Sequence, residues 1–191
     1  MKKKTVLIAI YVLTLALLVA SGSTISWLVA ESGELTNTFS PSNINITLDE
    51  SDGLDFQMIP GSTITKDPKV SVEDGSIDCW LFIKVVETDN LDTYISYTIA
   101  DGWNPVAGYA GFYYREAEAN DSFSILRNDE VTVNEDVTKS QMDALYSAGT
   151  VNQAACPKLT FYAAAVQKAN IDTYEEAWTV LPSEFTGVTN P

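Results

Sequence analysis

The chain has 191 residues, and its 26 acidic residues against 11 basic ones give it a formal charge of −15. This acidic balance argues against nucleic-acid binding, which needs a basic surface. The sequence contains no histidine, which excludes zincin, Ser-His-Asp and Cys-His chemistry because each of these needs an imidazole. The content of 46% hydrophobic and 10% aromatic residues is typical of one folded domain.

Residues 1–26 have the pattern of a secretory signal peptide. Three lysines at positions 2–4 precede an apolar run over 6–20, and small residues follow at 21–26. The alternative is an uncleaved membrane anchor, because the run approaches the roughly 20 residues that span a bilayer. We therefore predict a secreted protein of the extracellular matrix or cell surface, with membrane contact only through the uncleaved signal segment.

We expect signal cleavage between Ser26 and Trp27, with Ala20 or Ala30 as alternative cleavage points. Cleavage after Ser26 removes three lysines and no acid, leaving 26 acidic and 8 basic residues and a charge of about −18. The protein that acts outside the cell is therefore even more acidic than its precursor.

The densest acidic cluster comes early in the mature chain and suggests a weak calcium site, because flexible loops with oxygen ligands suit that ion. Its members are Asp49, Glu50, Asp52 and Asp55. The spacing does not match an EF-hand loop, and a solvated acidic turn is the favoured interpretation. We predict no cofactor beyond loosely bound calcium, and no metal site with defined ligands.

From position 40 onward, short strand-like segments alternate with turn residues. The predicted strands cover 45–48, 62–72, 79–86, 94–100, 109–115, 122–133 (one or two strands) and 159–168. Turns every 8 to 12 residues are typical of an all-β sandwich or jelly roll. We therefore predict a mainly β sandwich or jelly roll over 40–191, with two short helices in its connections.

The strand that begins at Cys79 is apolar on both faces. Its odd positions can face a core, whereas Trp80, Phe82 and Val86 at even positions are too apolar for a fully hydrated face. We expect another layer to cover that second face.

Cys79 and Cys156 are the only cysteines in the sequence. In an oxidising exterior they would form one disulfide, closing a loop of about 77 residues and contributing on the order of 4 kcal/mol. Two free thiols are the alternative. The sequence has no CxxC pair and no metal-ligand spacing.

Two short helices are predicted within the β pattern. The first begins with a capping box from Thr138 to Gln141 and places Met142, Leu145 and Tyr146 on one stripe. The second begins at Asp172, with Glu175 at the box position, and ends at Pro182; its stripe contains Tyr174, Ala177, Trp178 and Leu181. Both stripes are expected to dock on the core.

The aromatic residues of the middle of the chain suggest a carbohydrate or partner surface, although packing inside the domain is the favoured explanation. They are Trp80, Trp103, Tyr109, Phe112, Tyr113 and Tyr114. The sequence singles out no spaced pair of carboxylates for acid-base catalysis.

Eight segments match a known family in their order and spacing. They are Gly22-Ser-Thr-Ile-Ser-Trp-Leu28, Thr36-Asn-Thr-Phe39, Asn43-Ile-Asn-Ile-Thr-Leu48, Pro60–Pro68, Val70-Ser-Val72, Asp78–Val85, Leu159–Gln167 and Tyr174–Trp178. On these segments, which extend over nearly the whole chain, the sequence resembles the TasA/camelysin family, secreted proteins of Gram-positive bacteria that the signal peptidase SipW processes.

The resemblance implies a jelly-roll subunit of an extracellular biofilm matrix fibre, built from one protein or from related matrix subunits. It also implies that the segment freed by cleavage, residues 27–39, inserts as a donated strand into the next subunit. The apolar anchors of this segment are Trp27, Leu28, Val29, Leu35 and Phe39. An ordinary first strand or a mobile tail is the alternative for 27–39.

The resemblance carries a metallopeptidase label through camelysin, from which this sequence departs because it has no histidine and hence no HExxH motif. We predict a protein without catalytic activity. The alternative function is a monomeric cell-surface binding or adhesion module, or an accessory protein of fibre assembly.

Overall fold

The computed structural model describes residues 43–51 and 57–187. The predicted signal peptide, its cleavage site and the predicted donor segment lie outside these residues, as do Asp52 and Asp55 of the acidic cluster.

The described part of the chain is mainly β, which confirms the predicted class at that level, and it contains four short helices. The strands are β1 (Ile46–Asp49), β2 (Thr63–Thr65), β3 (Lys69–Val72), β4 (Cys79–Glu87), β5 (Ile95–Ser96), β6 (Asn104–Pro105), β7 (Phe112–Ala117), β8 (Ser122–Ser124), β9 (Glu130–Val133), β10 (Tyr146–Ser147), β11 (Thr150–Val151) and β12 (Leu159–Gln167). The helices are α1 (Leu91–Tyr94), α2 (Lys139–Asp143), α3 (Tyr174–Val180) and α4 (Ser183–Thr186).

All described strand pairs are antiparallel, and none of the described sheets is closed. The largest sheet has the order β12-β4-β7-β6, and two three-stranded sheets have the orders β1-β3-β8 and β2-β9-β5. A small hairpin pairs β10 with β11. The long central pair β4 and β12 is in register from Cys79 opposite Gln167 to Glu87 opposite Leu159.

Strand β4 is buried on both faces, as its sequence predicted. Its odd residues, from Cys79 to Val85, pack with Val70 and Val72 of β3 in one core. Its even residues Trp80 and Phe82 pack on the other side with α3 and the residues that follow it, in a second core that includes Ala177 and Leu181. The predicted covering layer is therefore helical. Val86 lies beyond it and is 38% exposed.

The predicted cap of α2 is confirmed, because Thr138 and Gln141 form a reciprocal capping box. Leu145 is buried and Met142 packs beside it, but the assignment of Tyr146 to the same stripe is wrong. Tyr146 lies in β10 and is 54% exposed, since α2 ends at Asp143 and the chain turns into the hairpin.

Helix α3 begins one residue later than its sequence predicted. Thr173 is the N-cap, with extended backbone angles, and its hydroxyl accepts a hydrogen bond from the Glu176 amide. The predicted apolar stripe is confirmed, because Tyr174, Ala177, Trp178 and Leu181 all pack on the even face of β4.

The predicted strand over 94–100 is mostly replaced by other structure. Tyr94 ends α1, only Ile95–Ser96 is a strand, and Ile99 forms an isolated bridge with Leu126. The reason is that this segment pairs with β9 at its start and with Leu126 further on, so it leaves one sheet before a long ladder can form.

The predicted disulfide is wrong in this structure, where Cys79 and Cys156 are both free. Cys79 opens β4, opposite the last residue of β12, whereas Cys156 precedes the first residue of β12. The nine-residue ladder between them is about 26 Å long at roughly 3.3 Å per residue. A disulfide needs Cα atoms within about 7 Å, so the register of β4 and β12 prevents the bond.

Candidate functional site

An apolar groove lies where strands β1 and β12 contact each other at the margins of two different sheets. Its volume is about 960 Å³. Apolar side chains from seven elements and their links line it, among them Leu48, Met58, Ile64, Val131, Leu159 and Phe161. Charged and polar side chains also line it, among them Asp49, Glu50 and Lys158. A groove of this size is large enough for a small molecule or for a short extended peptide segment.

One wall of the groove is the outer edge of β12. Among the described residues β12 pairs only with β4. The Thr88 amide donates to the Lys158 carbonyl, and the Lys168 amide donates to the Asp78 backbone carbonyl, so the even residues of β12 bond to β4. Because hydrogen-bonded and non-hydrogen-bonded pairs alternate in an antiparallel ladder, the odd residues point their amides and carbonyls away from β4.

The odd residues of β12 also carry the side chains that face the core. Leu159, Phe161, Ala163 and Ala165 are partly buried and pack against the cores formed by β3, β4 and β9. The same positions thus present apolar side chains on one face and backbone hydrogen-bonding groups along the outer edge. This is the arrangement that an added strand needs.

The opposite wall is the outer edge of β1, which pairs only with β3 among the described residues. The Glu73 amide donates to the Asn45 carbonyl, so in the same ladder Ile46 and Leu48 direct their backbone groups away from β3. The Leu48 side chain lines the groove and is 38% exposed. Two sheet edges therefore meet at one apolar opening.

A part-buried ion pair holds the end of β1 in place. The Lys66 ammonium lies 2.6 and 2.8 Å from the two carboxylate oxygens of Glu50, and the side chains are only 10% and 13% exposed. The same ammonium lies 5.7 Å from the centre of the Phe161 ring, a cation–π contact. This pair links the residue after β1 to the connection between β2 and β3.

The described half of the acidic cluster, Asp49 and Glu50, adds nothing to the calcium hypothesis. Both oxygens of Glu50 accept hydrogen bonds from Lys66. Within residues 43–51 and 57–187, no three acidic or cysteine side chains converge on one point. Asp49 lines the groove instead.

The two cysteines differ in their surroundings. Cys156 lines the groove, and its thiol lies 3.5 Å from the Asn152 carbonyl. Cys79 is fully buried, and burial together with the carboxylates of Asp78 and Asp121 raises the pKa of its thiol to about 11. Cys79 is therefore a protonated, unreactive core residue at neutral pH.

Most of the aromatic residues considered for a ligand surface are packed inside the domain. Trp80, Trp103 and Phe112 are buried, whereas Tyr109 remains exposed beside Trp178, with ring centres 4.6 Å apart. The indole of Trp103 donates to the Ser124 carbonyl, which confirms a structural role for it.

The sequence did not point to the groove or to Lys66. The only available signal was a lysine inside the predicted strand 62–72, in a chain with 8 basic residues after position 4. The groove arises from contacts between residues far apart in the chain, such as Leu48 and Phe161.

No described helix has the length and apolarity needed to cross a bilayer. No protein-family model, curated protein or solved structure matches the chain.

Proposed function

We propose that this protein is a secreted structural subunit of an extracellular biofilm matrix fibre, assembled by exchange of its N-terminal strand. The observation that carries the proposal is the apolar groove between the outer edges of β1 and β12. The sequence resemblance to the TasA/camelysin family supports it independently of the groove. The protein would act without catalysis and without a required cofactor.

The occupant of the groove would be residues 27–39 of another copy, or of a related matrix subunit. Strand addition gains main-chain hydrogen bonds along β12 while pockets for alternate side chains select the sequence. The anchors Trp27, Leu28, Val29, Leu35 and Phe39 provide apolar side chains of the kind that line the groove. Each subunit would thus donate at one end and accept at another, and such a head-to-tail contact produces a filament when it does not close.

The finer fold in this proposal is a jelly-roll sandwich. Odd residues of β4, in the sheet β12-β4-β7-β6, pack against β3 of the sheet β1-β3-β8. The proposal takes these two sheets as the facing layers of the sandwich. The sheet β2-β9-β5 and the helices would extend and close the ends of this sandwich.

Export would precede assembly. In this scheme the peptidase SipW, or an equivalent, cleaves after Ser26 and frees Trp27 to enter a neighbour. The same cleavage would keep polymers from forming inside the cell. The protein would then act in the extracellular matrix or at the cell surface.

Two groove substitutions of matched exposure test the acceptor site. Leu48 and Val86 are each 38% exposed, but only Leu48 lines the groove. Leu48→Lys should abolish fibres in negative-stain electron microscopy because it places a charge where the donated strand would pack, whereas Val86→Lys should form fibres normally. Equal fibre formation by the two variants would contradict an acceptor site at this groove.

Deletion of 27–35 from the mature chain tests the donor. The truncated protein should stay folded by circular dichroism and form no fibres. Fibres from the truncated protein would show that the donor is wrong. A mature chain that stays monomeric and binds a glycan or surface partner would support the alternative, a binding module or assembly accessory.

A further inference from the structure

The side chain of Arg115, in strand β7, is held in place by two aromatic rings. Its guanidinium carbon lies 3.3 Å from the centre of the Phe123 ring and 5.3 Å from the centre of the Trp103 ring. The Trp103 indole is itself fixed, because it donates a hydrogen bond of 2.9 Å to the Ser124 carbonyl. The position of the guanidinium is therefore set by packing alone, through cation–π contacts.

The guanidinium of Arg115 has no ion-pair partner among the described residues, although the chain contains 26 acidic residues. Its Nε is buried and has no hydrogen-bond acceptor there. Burial lowers the pKa of Arg115 and the charge of Asp121 opposes this effect, yet an arginine stays charged at neutral pH. A buried charged donor without an acceptor is costly, so a negative group that reached this side chain would stabilise it.

The turn at Gly102 leaves space beside the two terminal nitrogens of this guanidinium. A Cβ atom at Gly102 would lie 3.3 Å from Nη2 and 3.4 Å from Nη1. The neighbouring carboxylates have other partners, since Asp101 accepts from Arg127 at 2.5 Å and Asp121 accepts from the Glu118 amide at 2.8 Å. The forked end of the guanidinium thus lies beside a position that a side chain at residue 102 would otherwise fill.

We propose that Arg115 binds an oxyanion, a phosphate or a carboxylate, through its two terminal nitrogens beside Gly102. A guanidinium donates two parallel hydrogen bonds to two oxygens of such a group, and hydrogen bonds between ionised partners are the strong ones. Because the aromatic rings already fix the side chain, binding has to order little that was free. The site is separate from the groove, which Arg115 does not line, and so does not depend on strand exchange.

An NMR titration of the monomeric chain with sodium phosphate, sodium acetate and sodium chloride, at equal ionic strength, tests this site. The side-chain Nε–H resonance of Arg115 reports on the wild-type guanidinium, and the Gly102 amide reports affinity in the variants. The variants are Arg115→Lys and, as the matched control, Arg127→Lys. Arg127 is the other arginine of the chain, and its side chain is 50% exposed and paired with Asp101. Circular dichroism checks the folding of each variant.

We expect a saturable shift of the Arg115 resonance with phosphate or acetate and none with chloride; the anion that saturates at the lower concentration identifies the preferred group. Arg115→Lys should weaken binding about tenfold, because lysine keeps the charge but loses the second parallel hydrogen bond and the stacking on Phe123. Arg127→Lys should change it less than about twofold. The absence of a saturable shift with either oxyanion, or equal losses in the two variants, would overturn the site while leaving the proposed fibre assembly intact.

Discussion

The two edges of the four-stranded sheet differ in their length and in the features that hinder pairing with another strand. The β6 edge is two residues long and contains Pro105, which has no amide to donate. The β12 edge is nine residues long and contains neither proline nor a charged side chain. Native proteins normally shield long edges because another chain can pair with them. Among the described residues the outer edge of β12 has no partner strand, and the proposed assembly uses it as the edge to which another chain adds.

Proline substitutions at two neighbouring positions of β12 should have the largest effects, one on the stability of the fold and the other on fibre formation. The Ala164 amide points to β4, whereas the Ala163 amide points to the outer edge. Ala164→Pro should destabilise the fold by about 2–4 kcal/mol, because it removes a ladder bond and leaves a buried carbonyl unpaired. Ala163→Pro should cost about 1 kcal/mol yet prevent fibre formation.

Urea denaturation and sedimentation measure these two effects separately. Equal destabilisation by the two prolines would show that the assignment of alternate amides along β12 is wrong. Normal fibres from Ala163→Pro would show that the outer edge is not used.

The buried thiol of Cys79, at the start of β4 and opposite the last residue of β12, should make stability depend on pH in the alkaline range. The pKa of Cys79 is raised from 9.0 to about 11, mainly by burial. Because the folded value is the higher one, this stabilising contribution is complete below pH 9 and is lost as the pH rises towards 11. At 1.36 kcal/mol per pKa unit the full loss is about 3 kcal/mol, and about 2 kcal/mol of it should be reached by pH 11.

Denaturation of Cys79→Ala between pH 8 and 11 should show a flatter profile than that of the wild type. Tyr97, whose pKa burial and Glu87 also raise, adds its own alkaline loss to every variant alike. A Cys79→Ala profile identical to that of the wild type would show that the buried end of β12 is open to solvent.

Ionic strength should have a smaller and graded effect on assembly. Subunits cleaved after Ser26 would have a charge of about −18 and would repel one another, and added salt would screen that repulsion. Fibre yield should rise with salt up to about 0.15 M, where the screening length is about 8 Å. Lys139→Glu, with a more negative charge, should need more salt to reach the same yield. A yield that falls as salt is added would show that repulsion does not limit assembly.

The sequence was sufficient to predict features set by local pattern. The alternation in Cys79–Glu87 predicted two buried faces, and the capping box predicted the start of α2. The strand over 94–100 failed because its pairing depends on Leu126 and β9, which local alternation does not encode.

The separation of the two cysteines and the position of the groove could not be predicted from the sequence, for a related reason. Cys79 and Cys156 are separated by the register of β4 and β12, and only the pairing of distant segments sets that register. The groove likewise depends on where β1 meets β12. Both predictions would have required knowing which distant strands pair with each other and which strands form the edges of the described sheets.

Residue-resolved amide hydrogen exchange along β12 tests the account most directly. In the monomer, the outer-edge amides of Phe161 and Ala163 should exchange fast, whereas those of Tyr162 and Ala164, bonded to β4, should be protected. In fibres the account predicts that Phe161 and Ala163 become protected as well. Alternating protection that is unchanged on assembly, or uniform protection already in the monomer, would contradict the claim that β12 accepts a strand.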